Sequence, residues 1–169
     1  MPQIRQTTAL TPPIDSPERR RLPLLLRRAW YGMNQAFRRR IAHLGVTPDQ
    51  FTAMRTLIEH QGITQRRLTE LMSSDPNTVA ALLERMEGAG LVERRAHQQD
   101  RRANSLHLRP LGKAKYEAAR DVAVALQMEI LGTLPASMRD RFLQNLDAVA
   151  DACRVAAERS PKRAKPRHT

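Results

Sequence analysis

Cysteine is nearly absent. With Cys153 alone among 169 residues, no disulfide framework can form within a chain and no multi-cysteine zinc site is possible. This suits a reducing cytosol. Aromatic residues are scarce at 4 %, which argues against binding single strands or RNA by base stacking. Long apolar runs are missing too. Leu24-Leu25-Leu26 is far too short to span a bilayer, and the opening MPQIRQTTALTPPIDSPERRR has no apolar signal-peptide core. A cytoplasmic protein making no membrane contact is therefore expected. Acid is short: 17 Asp and Glu face 29 Lys and Arg, for a net charge of +12. Such an excess suits a polyanionic partner, whether nucleic acid, an anionic membrane face or an acidic protein.

What is present is helical punctuation. Residues 1–20 carry four prolines and no apolar period, and read as a flexible arm. From Pro23, the positions Leu26, Trp30, Met33, Phe37, Ile41 and Leu44 recur every three or four residues, the mark of a helix with one apolar stripe. Gly45 stops it. Arg27, Arg28, Arg38, Arg39 and Arg40 share that helix with its aromatics. Thr47-Pro48-Asp49-Gln50 is a helix start with the elements of a capping box. Phe51, Met54, Leu57 and Ile58 form its inward face, and Gly62 ends it.

The stretch from Thr64 to Leu108 carries most of the meaning. Thr64 caps a short helix with Leu68, Leu71 and Met72 inward, and Ser73-Ser74 makes a turn. Asp75 precedes Pro76, which holds it extended and suits an N-cap. Val79, Leu82, Leu83 and Met86 bind the next helix to a core, and Gly88 and Gly90 release the chain. Leu91–Arg95 and Ser105–Arg109 then read as paired strands, with Leu106 and Leu108 on an apolar face. Two long helices close the chain. One carries Leu111, Ala118, Val122, Leu126 and Ile130; the other carries Met138, Phe142, Leu146, Val149 and Cys153.

The expected class is mainly α with a small β-hairpin wing. A winged helix-turn-helix DNA-binding domain spans 46–110, and a helical dimerisation region spans 21–45 and 111–158. Residues 159–169 form a basic disordered tail. The outer helices each have a stripe to bury, either against a second copy in a two-fold dimer or back on their own domain.

In a helix-turn-helix, the front of the second helix faces base edges and the first helix crosses the backbone. Asn77, Thr78 and Ala81 are the exposed front positions here, with Arg85 one turn on, where it can reach a phosphate or a guanine. Asparagine suits adenine, and the Thr and Ala methyl groups suit the thymine methyl. Asn77 and Thr78 also read as ordinary surface residues near a helix start. Asp75 reads as a cap rather than a base contact. Thr64, Gln65 and Arg66 open the preceding helix, where phosphate is bound by side chains and free N–H groups. Glu84 and Glu87 repel phosphate, so the far end of the second helix should point away from DNA. Arg101 and Arg102 at the hairpin tip suit a narrow minor groove, with Asp100 orienting Arg102 through a charge-assisted hydrogen bond. A basic loop alone is usually just solvated; directly after a helix-turn-helix it acquires a role.

At this point the chain resembles the MarR family of winged helix-turn-helix regulators. The family's wing pattern is matched by Asp100-Arg101-Arg102 and Leu108-Arg109-Pro110-Leu111-Gly112. Its helix-end phrase is matched by Leu82-Leu83-Glu84-Arg85-Met86-Glu87 and by Gly90-Leu91-Val92-Glu93-Arg94-Arg95. The likeness runs over roughly residues 24 to 155, with Arg109 standing where the family usually has threonine. The resemblance implies a homodimeric repressor on a palindromic operator, released by a small molecule. It also implies a ligand pocket at Trp30, Tyr31, Asn34, Phe37, Arg38, Met54 and Arg55. Aromatics among arginines suit an aromatic acid or an acyl-CoA thioester, although Trp30, Phe37 and Met54 also read as core.

Other functions fit less well. Cys153 lies on an apolar stripe, where a thiol is usually inert packing rather than a redox sensor. His97, Asp100 and His107 share the wing without a fixed ligand geometry, and His43 and His60 end separate helices, so no metal and no cofactor is expected. No phosphate loop, nucleophile elbow or histidine pair marks an enzyme; Gly88-Ala89-Gly90 follows a helix rather than a strand. The alternative of another class is an architectural DNA-binding protein that uses charge without an inducer.

Overall fold

Pro17 opens the first helix in this computed structural model, which describes residues 16–96 and 104–160. Helix α1 (Pro17–Ile41) therefore starts six residues before Pro23, and residues 17–20 of the expected arm are helical. Proline fits a first turn, where its missing N–H costs nothing. Pro23 is internal to α1 and leaves the carbonyl of residue 19 without its helical donor. A 3-10 turn (Ala42–Leu44) follows and ends on Gly45 at φ 63°, a left-handed conformation that glycine adopts without strain.

Helix α2 (Pro48–Glu59) has the capping box in full. The Gln50 N–H donates to Thr47 Oγ1 at 3.2 Å, and the Thr47 N–H donates to Gln50 Oε1 at 3.0 Å. Ala53, Met54 and Leu57 are buried on its inner side. Thr64 caps α3 (Gln65–Leu71) by accepting from the Arg67 N–H at 3.3 Å. The turn after α3 passes through Ser73 at φ 49°, and the Ser74 N–H returns to the Thr69 carbonyl at 3.2 Å. Helix α4 (Pro76–Gly88) buries Val79, Leu82, Leu83 and Met86, the four residues its spacing predicts.

Strands β1 (Val92–Ala96) and β2 (Asn104–Leu108) pair antiparallel, with Arg94 opposite Leu106 and Arg95 opposite Ser105. The first begins one residue later than expected, and the second begins and ends one residue earlier. A third short piece was not anticipated. Thr64 bridges to Ser105, and the Leu106 N–H donates to the Ile63 carbonyl at 2.9 Å. The residues just before α3 thereby align β2 against the helix-turn-helix. Ser105 is consequently buried, although an alternating pattern puts it on the polar side.

Helix α5 (Pro110–Leu131) follows at once. Its expected stripe is out of phase at the N-terminal end: Gly112 and Ala119 are buried, whereas Leu111 is 49 % exposed and Ala118 is exposed. The reason is a close crossing. A Cβ on Gly112 would stand 2.3 Å from the Leu91 carbonyl oxygen, so the helix turns its smallest residue inward. Lys115 Nζ donates to the Leu44 carbonyl at 2.6 Å and ties α5 to the end of the 3-10 turn.

The chain divides into two compact units between Val124 and Ala125. In the first, Phe37 and Ile41 join the residues above, Leu68, Leu91 and Leu106 in the core. Phe37 meets Phe51 edge-on at 4.9 Å, and Phe51 stacks on Tyr116 at 5.3 Å. In the second, α6 (Ala136–Arg159) has no buried residue; Met138, Phe142 and Leu146 are exposed, and so is Cys153. Among the described residues no helix is long and apolar enough to cross a membrane.

Candidate nucleic-acid interface

The buried residues of α4 decide which side is free. With Val79, Leu82, Leu83 and Met86 inward, Asn77, Thr78, Ala81 and Arg85 are all exposed. A helix held by one stripe presents the remainder to solvent, and here that remainder starts at the helix's N-terminal turn.

Asp75 builds that turn. Its carboxylate accepts from the Asn77 N–H at 3.1 Å and from the Thr78 N–H at 2.9 Å. Thr78's side chain, then its N–H, hold the Asp75 carboxyl below its ordinary pKa. The residue is thus an N-cap, its carboxylate engaged by two backbone N–H groups of the first turn. The linkage has a definite sign. A carboxylate with a depressed folded pKa adds stability above its unfolded pKa, and that stability is lost as pH falls through the folded value. Asn caps about as well as Asp but does not titrate. Asp75→Asn should therefore lose less Tm than the parent chain on acidification, in parallel scans from neutral to acid pH. Identical acid slopes would exclude a role for the Asp75 charge.

On α3, Arg66 is the most open of these arginines, with 90 % of its side chain exposed, and it pairs with Glu70 at 3.2 Å. Arg67 pairs with the same carboxylate at 3.0 Å. Arg67 first, then Arg66, lower the Glu70 pKa. Exposed pairs of this kind are weak, so both guanidinium groups can be given up to a phosphate. Glu87 is engaged by Arg94 of the hairpin at 3.0 Å, which neutralises one of the two acids on α4.

The structure gathers Thr64, Gln65 and Arg66 around a hollow of 220 Å³, together with Arg94, Asn104 and Leu106. Arg94 and Asn104 were not singled out from sequence. The signal was available in the β-branched pair Ile63-Thr64, which forms the third piece of sheet and brings β2 beside α3. Asp100, Arg101, Arg102 and His97 lie outside the described residues.

The residues expected to bind a small molecule separate into groups. Met54 is fully buried and Phe37 is 8 % exposed, so both are core. Trp30 and Tyr31 are 60 % and 59 % exposed, and the Tyr31 hydroxyl accepts from Gln35 Nε2 at 3.1 Å. Asn34 is half-buried and Arg38 exposed. Arg55 is held by Glu59 at 2.8 Å, which raises its pKa.

Two helices joined by a tight turn, the second with an open front face, and a hairpin directly after them define a winged helix-turn-helix protein of the DNA-binding class. Residues 46–103 match the MarR family. The chain is 30 % identical over 125 residues to the transcriptional regulator HosA of Escherichia coli O127:H6, across 71 % of this chain and 93 % of HosA. Its fold resembles the transcriptional repressor CouR bound to a 23-mer DNA duplex, with TM-score 0.71, 28 % identity, and coverage of 76 % and 92 % of the two chains. A probable transcriptional regulator from Pseudomonas aeruginosa is similar at TM-score 0.69 and 26 % identity, over 76 % of this chain and 96 % of that one. The chain belongs to the MarR family, and it is a transcriptional regulator of that DNA-binding family.

Proposed function

We propose that this regulator is a cytoplasmic homodimeric repressor that holds a palindromic operator and leaves it when a small molecule binds. The observation that carries the reading is the two-sided α4, fixed by four buried residues and open at Asn77, Thr78, Ala81 and Arg85. Asn77 and the Thr78 and Ala81 methyl groups read bases. Thr64, Gln65 and Arg66 bind phosphate, Arg85 reaches a phosphate or a guanine, and Arg101 and Arg102 reach the minor groove with Asp100 orienting Arg102. CouR, a repressor seen on duplex DNA, supports repression as the mode of action.

Dimerisation is supported by apolar surface that one chain leaves open. Trp30, Tyr31 and Met33 on α1 and Met138, Phe142, Leu143 and Leu146 on α6 are all at least 38 % exposed. Such surface usually marks an interface, and a two-fold partner would cover it. The domain division proposed is a winged helix-turn-helix at 46–110 with dimerising helices at 21–45 and 111–158. The effector proposed is a small aromatic acid or its acyl-CoA thioester, received by Trp30, Tyr31, Asn34, Arg38 and Arg55, with Phe37 and Met54 as the core behind them.

The experiment is a thermal-shift screen of aromatic acids and thioesters, coupled to release from operator DNA. Stabilisation and release by one of them is expected; neither effect with any of them would remove the effector from the account. The wing has its own test. Arg102→Ala should weaken binding to all sequences and lower the slope of log K against log salt by about one unit, as loss of one neutralised phosphate requires. An unchanged affinity and slope would remove Arg102 from the interface.

A further inference from the structure

Glu87 is out of place on two counts. It stands one residue before the end of α4, where the free carbonyls of a helix disfavour an anion. It also puts negative charge on the helix proposed to enter DNA. Neither cost explains an acid at this position, but its partner does. Arg94 Nε donates to Glu87 Oε2 at 3.0 Å and joins β1 to α4. The ion pairs on α2, α3 and α6 each stay inside one helix, and their side chains are at least 47 % exposed. Arg94 and Glu87 are only 32 % and 31 % exposed. Screening weakens as charges leave solvent, so this pair is better able to hold two elements together.

The turn between the two residues is closed by backbone. The Gly90 N–H donates to the Glu87 carbonyl and the Leu91 N–H to the Met86 carbonyl, both at 2.9 Å. Gly90 takes φ 69° to allow this. That turn fixes where β1 begins; a side-chain tie further along the strand fixes its angle. The other strand is tied independently. Leu106 stands opposite Arg94, and its N–H donates to the Ile63 carbonyl at 2.9 Å. The hairpin is thus gripped at one level on both strands, by α4 through a side chain and by the residues before α3 through backbone. Past that level on β1, Arg95 and Ala96 are exposed, and the chain runs on to Arg101 and Arg102. Arg94 also lines the hollow with Thr64, Gln65 and Arg66, so α3, α4 and the hairpin converge on one guanidinium.

We propose that Glu87 and Arg94 are positioning residues, whose ion pair sets the angle of the hairpin against α4 so that the wing and the front of α4 engage one duplex together. The proposal rests on the reading of the wing given above. It turns Glu87 from an acid that merely repels phosphate into a residue that favours binding. The sign of its effect separates the two roles. Removing an acid from a protein that binds a polyanion tightens binding through charge alone. Glu87→Gln should instead weaken binding about fivefold or more, on the scale of coupling within one ion-pair network. Glutamine is a good helix former, so Tm should hold.

The test titrates the full chain and its variants against a duplex enriched from random DNA by the parent chain, across a range of salt. Glu87→Gln should lower the slope of log K against log salt by about one unit, as Arg102→Ala does, because the wing's phosphate contact is lost. In the Arg102→Ala background the same substitution should weaken binding no further. The reversed pair, Glu87→Arg with Arg94→Glu, keeps the parent's net charge and should bind more tightly than Arg94→Glu alone. Equal or tighter binding by Glu87→Gln overturns the proposal. So does a loss that adds in full to that of Arg102→Ala, or a reversed pair whose Tm recovers without its affinity. An inert Arg102→Ala removes the reading of the wing itself. An effective Arg102→Ala beside an inert Glu87→Gln removes only the tie.

Discussion

Gly112→Ala should cost more stability than any other single methyl group added at a glycine of the described fold. The new Cβ would lie 2.3 Å from the Leu91 carbonyl oxygen and 3.1 Å from Leu108 Cδ2. The first of these is backbone and cannot swing aside. That carbonyl also accepts the Arg109 N–H at 3.0 Å, so moving it breaks the junction between hairpin and α5. Overpacking of this kind costs about 1–3 kcal/mol and sometimes more, while replacing glycine by alanine inside a helix returns about 1 kcal/mol. A net loss of about 2 kcal/mol would lower Tm by about 4–8 °C for a chain of this length. Gly88→Ala is the matching control. Nothing stands within 4 Å of its Cβ, so the same substitution should leave Tm unchanged or raise it slightly. Equal Tm values for the two variants would show that the α5 crossing is looser than the structure has it.

Ala81→Glu should abolish operator binding and leave the fold intact. Ala81 is exposed, one turn beyond Asn77 and on the side of α4 away from its buried stripe. Glutamate is a good helix former, so Tm should hold. In the bound state its carboxylate would be brought against bases and phosphates with no cation assigned to meet it. Like-charge contact in an interface costs several kcal/mol, so affinity should fall about a hundredfold or more. The result also separates two kinds of DNA binding. A protein that coats DNA through its net charge of +12 would lose only the small share carried by one charge. A fall of less than about threefold at constant salt, the scale of one lost counterion, would mean that α4 does not enter the groove.

Much of the winged helix-turn-helix was legible because local chemistry decides it. Thr47 and Gln50, Thr64, and Asp75 with Pro76 each specify a helix start without help from distant residues, and all three caps form. The four inward residues of α4 follow from its period alone. Legibility fell where distant backbone intervenes. The phase of α5 is set by Gly112 meeting Leu91, which no helical period encodes. Ser105 is buried because Ile63 and Thr64 cover β2, a pairing across some 40 residues. The start of α1 was readable in Ser16-Pro17, but the density of prolines nearby masked it. On α1, Phe37 and Ile41 are buried as the stripe predicts, whereas Trp30 and Met33 are exposed. Half a stripe is what one chain covers, and its periodicity does not say which half. The residues proposed to receive an effector were the least legible, because a period cannot distinguish the wall of a pocket from the core behind it; Met54 belongs to the core.

The most direct measurement of the central claim is selection of binding sites from random duplex DNA by the full chain at physiological salt, followed by affinity measurement on the enriched sequence. The account predicts a palindrome with half-sites about one helical turn apart, bound about a thousandfold or more tightly than random DNA. Asymmetric or unenriched sequences, with affinity that tracks salt alone, would contradict it and leave a basic protein that coats DNA without reading it.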